Sequence, residues 1–165
     1  MKIRIRQATV SDADIITRFN ALMAEETEQQ ALESQRLLNG VLTLLSEPAK
    51  GVYFIAEEDG VPLGQLMITY EWSDWRNGNF WWIQSVYVDR PYRGKGVFRS
   101  LYQHVYDLAS QLSDCCGLRL YVESRNEPAQ RTYERLGMKK AGYEMYEIDF
   151  VLKKPARLSQ RKPNQ

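Results

Sequence analysis

The clearest indication of the fold is the segment VYVDRPYRGKGVFRSLYQHV, residues 86–105. A strand-like apolar run leads into a basic loop with two glycines one residue apart, and apolar residues then recur at helical spacing. Glycines let backbone N–H groups approach a ligand, and a helix N-terminus adds positive potential, so the loop favours a phosphate-bearing ligand. The spacing of Gly94 and Gly96 matches neither the dinucleotide-binding loop nor the P-loop. Taken alone, the two glycines are therefore equally consistent with a tight turn between a strand and a helix.

The rest of the chain has the pattern of one mixed α/β sheet. Residues 2–6 alternate like a strand, two helical patterns follow, and three strand-like segments are then joined by polar turns. After the glycine loop come a helix, the strand LRLYVES (118–124), another helix and the alternating segment MYEIDFVL (145–152), which predicts a closing strand. The predicted order is β, α, α, three meandering strands, α, β, α, β.

Length and charge narrow the class of protein. The 165 residues suffice for one domain with a buried core, and the formal net charge is +1. Five basic residues and no acidic one follow residue 152, so the body holds 17 basic against 21 acidic residues. An acidic body argues against a nucleic-acid groove. We expect the basic tail, residues 153–165, to be disordered.

The hydropathy pattern predicts the cellular compartment, and the few cysteines and histidines predict that no metal is bound. The apolar runs are too short to span a membrane and no apolar signal region follows Met1, so we expect a cytoplasmic protein. Cys115 and Cys116 are adjacent, which disfavours a disulfide between them, and one histidine leaves no zinc-binding spacing. We therefore expect no bound metal.

Two segments resemble signatures of the GNAT superfamily of N-acetyltransferases. Residues 86–105 are similar to its motif of a strand, R-G-x-G-x-G/A and an amphipathic helix, and residues 118–138 resemble its pattern N-x-x-A-x-x-x-Y-x-x-x-G-F. The matching positions of the second pattern are Asn126, Ala129, Tyr133 and Gly137. Met138 replaces the final phenylalanine. The resemblance implies a single domain over residues 1–152, with a mostly antiparallel twisted sheet, flanking helices, and strands 4 and 5 splayed apart.

The resemblance also implies acetyl-coenzyme A as the acetyl donor. The loop residues whose backbone would hold its pyrophosphate are Arg93, Gly94, Lys95, Gly96, Val97 and Phe98. The strand residues that would pair with its pantetheine arm, like an added strand, are Val86, Tyr87 and Val88. Asn126 would hydrogen-bond the same arm. Phe98 departs from the usual Gly or Ala, and its spacing to Tyr102 predicts that its ring packs on the helix.

Acetyl transfer to an amine poses two proton problems. The departing thiolate needs an acid, and a primary amine with a pKa near ~10.4 is almost wholly protonated at pH 7. Tyr133 matches the family's acid, and a phenol keeps its proton at neutral pH. Many relatives place a base glutamate on the strand before the loop, but this sequence has Gln84 there, which cannot take a proton. The candidate bases are Glu123, which we prefer, and Glu25, Glu26 and Glu71. Loss of the proton to water is the alternative.

The acceptor is expected to be a small cationic amine, such as a polyamine or a basic amino acid. The first two helices and the strand 3–4 hairpin, which usually border the acceptor in this family, carry carboxylates and aromatic rings that attract an ammonium. The candidate acceptor-binding residues are Glu25, Glu26, Glu71, Trp72 and Gln84. The tripeptide NEP also looks like that of the diamine acetyltransferase branch.

Other functions stay open on the sequence. The acceptor could be an amine on a protein or peptide, or the chain could bind acyl-coenzyme A without transfer, which Gln84 and Phe98 would favour. A nucleic-acid role for the basic tail ranks last. Relatives are often dimers, and the aromatic hairpin or the closing strand could provide the interface of a homodimer.

Overall fold

A computed structural model describes residues 2–29 and 31–152 of the chain. The tail that the sequence predicts to be disordered, residues 153–165, lies outside the described residues. The chain divides into two compact units, Met1–Tyr121 and Val122–Gln165.

The first unit contains the sheet and three helices. The strands are β1 (Arg4–Gln7), β2 (Val52–Glu58), β3 (Val61–Ser73), β4 (Gly78–Val88) and β5 (Cys115–Arg119). The helices are α1 (Ala13–Glu28), α2 (Ser34–Ser46) and α3 (Val97–Gln111), with short 3-10 turns at Val10–Asp12 and Arg90–Tyr92. The second unit contains the helix α4 (Glu127–Arg135).

The five strands form one mixed sheet in the order β1-β2-β3-β4-β5. The first four are antiparallel to their neighbours, and β5 runs parallel to β4. This confirms the predicted mostly antiparallel sheet flanked by helices. β5 begins three residues before the predicted strand, because Cys115 and Gly117 already pair with β4. It ends at Arg119, five residues before the predicted end.

Alternate residues of β2 face different helices, which places the sheet between two layers. Tyr53 and Ile55 belong to the buried cluster formed with α1 and α2. The Phe54 ring lies edge-on to the His104 ring of α3, with 5.2 Å between centroids. All three β2 residues are buried, as expected for a strand covered by helices on both faces.

A β-bulge interrupts the ladder between β3 and β4. Two residues of β4, Ser85 and Val86, lie opposite the single residue Leu66 of β3. Ser85 has φ +48°, a left-handed conformation that is uncommon for residues other than glycine. The bulge therefore changes the direction of the last part of β4, shortly before the glycine loop.

A chain of buried polar side chains connects this bulge to α1. The Gln65 side chain is fully buried and donates from Nε2 to Asn20 Oδ1 at 2.7 Å and, at 3.5 Å, to the carbonyl oxygen of Ser85. Asn20 in turn donates from Nδ2 to the hydroxyl of Tyr53 at 3.0 Å. Because buried polar groups are costly unless they are hydrogen-bonded, this chain favours one position of the bulge relative to α1.

The predicted closing strand at residues 145–152 is wrong for the described structure, which has no strand after β5 within residues 120–152. Both sets of alternating side chains are exposed there, for example Met145 from one set and Tyr146 from the other. The Asp149 side chain accepts hydrogen bonds from the backbone N–H groups of Val151 (2.7 Å) and Leu152 (2.9 Å). Such local bonds compete with strand pairing, which alternation alone does not reveal.

An ion cluster joins β1 to the start of α1 and to β2. The Arg6 guanidinium donates to both carboxylate oxygens of Asp12, at 2.8 and 2.7 Å, and to Glu57 at 2.7 Å. The hydrogen bonds from Arg6, together with that from the Thr9 backbone, lower the pKa of Asp12 from 3.8 to about 2, against the opposing effect of burial. The ionised form of Asp12 is therefore favoured in the folded state.

We predict a pH-dependent loss of stability from this cluster. A carboxyl whose pKa is depressed on folding stabilises the protein above its unfolded pKa, and this stabilisation disappears as pH falls through the folded pKa. The Asp12 contribution, about 2 kcal/mol by this linkage, should be lost between about pH 4 and pH 2. Urea unfolding at several pH values measures it. Asp12→Asn should reduce the slope in this window, and an unchanged slope would contradict the assignment.

Candidate active site

The glycine loop joins the end of β4 to the start of α3. Gly94 (φ +74°) and Gly96 (φ +83°) both have left-handed backbone conformations, which explains why glycine occupies these positions. Gly96 is the N-cap of α3 and has no side chain to bond the amides of the first helical turn. Those amides are left for another acceptor, and the helix N-terminus favours an anion there.

Phe98 lies in the first turn of α3 and packs along the helix. Its ring centroid is 6.2 Å from that of Tyr102, one turn further on, in a tilted arrangement. Its neighbour Val97 is buried, whereas Gly94 and Gly96 are exposed. The bulky side chain therefore contributes to the helix surface beside the loop.

β4 continues past its contact with β5, and its outer edge is then no longer paired by that strand. The parallel ladder joins β5 to β4 only from Asn79 to Trp82, whereas β4 runs on to Val88. The backbone N–H of Asp89 donates to β3 at Leu63 (2.9 Å), so the carbonyl of Val88 faces the outer edge, because consecutive residues of a strand point in opposite directions. Within the described chain, this is the strand separation that the sequence predicts.

Glu26, near the end of α1, is bound to residues around the glycine loop. Its carboxylate accepts hydrogen bonds from Arg93 Nη2 at 2.8 Å, Arg90 Nε at 3.0 Å and the Tyr87 hydroxyl at 3.2 Å. Partial burial opposes ionisation, but the hydrogen bonds from the two arginines prevail and lower the pKa of Glu26. Burial, followed by the charge of Glu26, raises the pKa of Tyr87.

Glu71 and Gln84 lie in a second group of polar side chains, on the face of β3 and β4 toward α1 and α2. Glu71 accepts hydrogen bonds from Arg119 Nη1 at 2.5 Å and from the indole N–H of Trp82. Gln84 donates to the Thr69 hydroxyl. The two predicted residues are thus on one face, but Glu71 already has a cationic partner.

Sequence reasoning missed two residues of this second group. Arg119 binds Glu71 and places its guanidinium over the Phe80 ring, 3.7 Å from the centroid. Tyr121 donates from its hydroxyl to Gln84 at 3.4 Å, and its ring lies 5.8 Å from that of Trp82. The alternation of LRLYVES puts residues 119 and 121 on one side, so the signal was present in the sequence.

Two predicted acceptor residues are exposed. Trp72 on β3 is 59% exposed, and Glu25 on α1 is exposed next to Glu26. Trp75, at the turn of the β3–β4 hairpin, is 86% exposed. The hairpin therefore presents aromatic faces to solvent rather than to the core.

The predicted acid and a predicted pantetheine contact belong to the second unit. Tyr133 is half-buried on α4, and burial raises the pKa of its phenol. Asn126 is the N-cap of α4, where its Oδ1 accepts from the backbone N–H of Ala129 at 3.2 Å. This cap occupies the Asn126 oxygen and leaves its amide N–H₂ as a donor.

Glu123, the preferred candidate base, lies in the turn before α4. Its carboxylate accepts a hydrogen bond from the backbone N–H of Arg125 at 3.0 Å, and the side chain is exposed. The backbone N–H of Asn126 donates to the carbonyl of Glu123 at 2.9 Å, which closes the turn. The structure therefore places Glu123 and Asn126 together.

The element order, the separation of β4 from β5 and the glycine loop define the class of fold: the mixed α/β sheet of the GNAT superfamily, as predicted. The chain belongs to the acetyltransferase (GNAT) family, whose model matches residues 16–138.

Solved structures and curated proteins agree with this assignment. A possible acetyltransferase from Clostridium difficile 630 has 45% sequence identity and a TM-score of 0.84, covering 90% of this chain and 98% of that one. Glucosamine-6-phosphate N-acetyltransferase from Arabidopsis thaliana has 21% identity and a TM-score of 0.68, covering 90% and 99% of the two chains, a likeness of fold alone.

The probable spermine N(1)-acetyltransferase of Bacillus subtilis subsp. natto (strain BEST195) is 27% identical over 100 residues, which are 61% of this chain. The spermine/spermidine N(1)-acetyltransferase of Bacillus subtilis (strain 168) matches to the same extent. The chain spans 62% of the length of these curated relatives.

The described residues contain no helix that is long and apolar enough to cross a membrane. Among the same residues, no group of three or more His, Cys, Asp and Glu side chains is arranged to hold a metal ion.

We predict opposite effects for two glycine substitutions. Gly96→Ala should destabilise the protein by about 1–2 kcal/mol, because alanine is strained in the left-handed conformation. Gly40→Ala should stabilise it by about 0.5–1 kcal/mol, because Gly40 lies within α2 and an added Cβ meets no heavy atom within 4 Å. Urea unfolding measures both. Equal effects of the two substitutions would refute the conformational role of Gly96.

Proposed function

We propose that this protein is an acetyl-coenzyme A-dependent N-acetyltransferase. It moves an acetyl group to a primary amine of a small cationic acceptor, by direct attack in a ternary complex. The observation that carries the proposal is the glycine loop at the start of α3 beside the unpaired outer edge of β4. Together these offer backbone N–H groups for a pyrophosphate and a strand edge for an extended arm.

The residues present fit coenzyme A. A Cβ added at Gly94 or Gly96 would meet no heavy atom within 4 Å, so a ligand can approach the loop backbone closely. The exposed cations Arg93 and Lys95 stand in the same loop and suit phosphate oxygens. The edge from Val86 to Val88 supplies the backbone groups for the pantetheine arm. When bound, acetyl-coenzyme A supplies an acetyl group that is activated as a thioester.

Tyr133 is the proposed general acid. Burial raises the pKa of its phenol, so the Oη proton is retained at neutral pH and is available to the departing thiolate. Asn126 precedes the same helix, and its free amide N–H₂ is the proposed donor to the pantetheine arm. In this assignment both residues act through the short helix α4.

The amine proton leaves to Glu123 or to water. Glu123 is exposed, and one carboxylate oxygen accepts from the Arg125 backbone N–H and the other from the Ser124 hydroxyl at 3.4 Å. Each oxygen keeps a further lone pair for a proton. Gln84 cannot replace it, because an amide is not a base at neutral pH. Its Nε2 already donates to Thr69, which suits a role in shaping the acceptor site.

A cationic acceptor is supported by the side chains on α1 and on the β3–β4 hairpin. Glu25 is exposed, and the carboxylates of Glu26 and Glu71 can attract an ammonium once their arginine partners leave them. The exposed Trp72 ring, on the opposite face of β3 from Glu71, offers a cation–π contact. The names of the two curated relatives, which specify spermine and spermidine, support a polyamine in particular.

Removal of the Tyr133 hydroxyl should separate catalysis from binding. We expect Tyr133→Phe to keep its coenzyme A affinity but to lower turnover by ~10²-fold or more, because the departing thiolate loses its acid. Calorimetry and thiol release measure the two quantities. Tyr143→Phe, at a tyrosine that is 83% exposed, is the matched control and should have normal turnover. Unchanged turnover in Tyr133→Phe would remove the hydroxyl from the mechanism.

A thiol-release screen tests the activity and the acceptor class together. The panel contains polyamines, basic, neutral and acidic amino acids, aminoglycosides and peptides. We expect kcat/KM to be highest for small multivalent cations, because carboxylates border the proposed acceptor site. Preference for neutral or acidic amines, or for peptides, would contradict the cationic acceptor. Coenzyme A binding without thiol release on any amine would contradict catalysis.

A further inference from the structure

Glu26 connects the helix that borders the proposed acceptor site to the proposed coenzyme A loop. Its carboxylate accepts from Arg93 Nη2 (2.8 Å), Arg90 Nε (3.0 Å) and the Tyr87 hydroxyl (3.2 Å). These partners lie more than sixty positions away in the sequence, at the end of β4 and in the loop that follows. One carboxylate is thus shared by the two halves of the proposed site.

Arg93 covers part of the β4 edge while it is bound to Glu26. Its Nε donates to the Val88 carbonyl oxygen at 2.8 Å, and its guanidinium lies 5.4 Å from the centroid of the Tyr87 ring. The Val88 carbonyl faces the outer edge, where the pantetheine arm is proposed to pair. Arg93 therefore occupies a backbone acceptor at the very edge that the donor would use.

Phosphate oxygens compete with Glu26 for these arginines. A guanidinium binds phosphate through the same planar N–H groups with which it binds a carboxylate, and a pyrophosphate brings two negative charges where Glu26 brings one. The Arg90 and Arg93 side chains are 72% and 44% exposed, so both can move toward such a ligand. The competition rests on the proposed function, since it requires the pyrophosphate to bind at this loop.

The release of Glu26 would change the local charge in favour of a cation. With both ion pairs formed, two arginines surround one carboxylate, and this excess positive charge disfavours an ammonium nearby. Once a pyrophosphate has bound the two arginines, the phosphates balance their positive charge. The Glu26 carboxylate is then no longer paired with a guanidinium. It can then accept hydrogen bonds from an ammonium.

We propose that Glu26 is exchanged between the two substrates: it binds Arg90 and Arg93 until the pyrophosphate of acetyl-coenzyme A takes them, and it then binds the ammonium of the acceptor. Glu26 is thus a residue that determines the order of binding and the preference for a cationic acceptor. The two affinities are coupled, and by linkage each substrate strengthens the other by the same factor.

Calorimetry with coenzyme A alone tests the competition. Glu26→Gln should bind coenzyme A about three- to tenfold more tightly than the wild type, because the neutral amide holds the arginines less strongly. Glu47→Gln is the matched control: it removes the same charge from a carboxylate that pairs with Lys50 and not with an arginine of the loop, and its affinity should change less than about twofold. Weaker or unchanged binding in Glu26→Gln would overturn the proposal. Failure of the wild type to bind coenzyme A would instead overturn the proposed function.

Titration with spermine, with and without saturating coenzyme A, tests the exchange. Coenzyme A should strengthen spermine binding to the wild type at least about fivefold, and Glu26→Gln should lose this gain. Arg90→Gln should strengthen spermine binding without coenzyme A, because it weakens the competition for Glu26. Arg99→Gln, which removes the same charge from the exposed start of α3, should have a smaller effect. Equal effects of the two arginine variants would overturn the exchange, as would coupling that survives in Glu26→Gln.

Thermal unfolding of each variant separates misfolding from a change in binding. Glu26, Arg90 and Arg93 bond through side chains that are at least partly exposed, so the variants should remain folded. A folded Glu26→Gln protein with wild-type coenzyme A affinity and wild-type coupling is the clearest contrary result.

Discussion

Trp82 is the last residue of β4 that pairs with β5, whereas β4 itself continues to Val88, and the proposed site depends on this difference in length. Beyond Trp82, one edge of β4 presents backbone donors and acceptors that β5 does not use. Unpaired edges attract any extended chain, and proteins commonly cover them with charged side chains. Here the Arg93 side chain covers the Val88 carbonyl, and Glu26 in turn holds Arg93.

The same stretch of β4 contains the bulge at Ser85, whose position depends on buried polar groups on another element. Gln65 reaches Asn20 on α1 and contacts the carbonyl of Ser85. An apolar residue at position 65 would remove these hydrogen bonds and leave the buried Asn20 oxygen without the donor that it has now. We expect this to lower the free energy of unfolding by about 1–3 kcal/mol. The fold therefore keeps polar groups in its interior at the point where the edge changes direction.

Periodicity predicted the order of the first nine elements correctly, because period-2 and helical patterns are local properties of the chain. It could not place the ends of β5 or exclude a strand at residues 145–152, since both depend on whether a neighbouring strand is present to pair with. At Asp149, a side chain that bonds the next backbone amides competed with an otherwise convincing alternation. The glycine loop was predictable because two closely spaced glycines before a helical pattern can be recognised in the sequence itself. The Glu26 ion pairs were not, because they join positions that only the tertiary structure brings together.

The distance between the carboxylates of Glu26 and Glu71 also restricts the kind of cation that could bind both. Gln65 pairs with Tyr87 near the Glu26 cluster, and Glu71 pairs with Phe80 further along the same ladder. The two pairs are six positions apart along β3, which corresponds to about 20 Å in an extended strand. Each carboxylate already has an arginine partner, so a cation can bind either carboxylate only after a guanidinium has left it. A compact ammonium can meet only one of the two, and an acceptor that meets both would have to be long and charged at both ends.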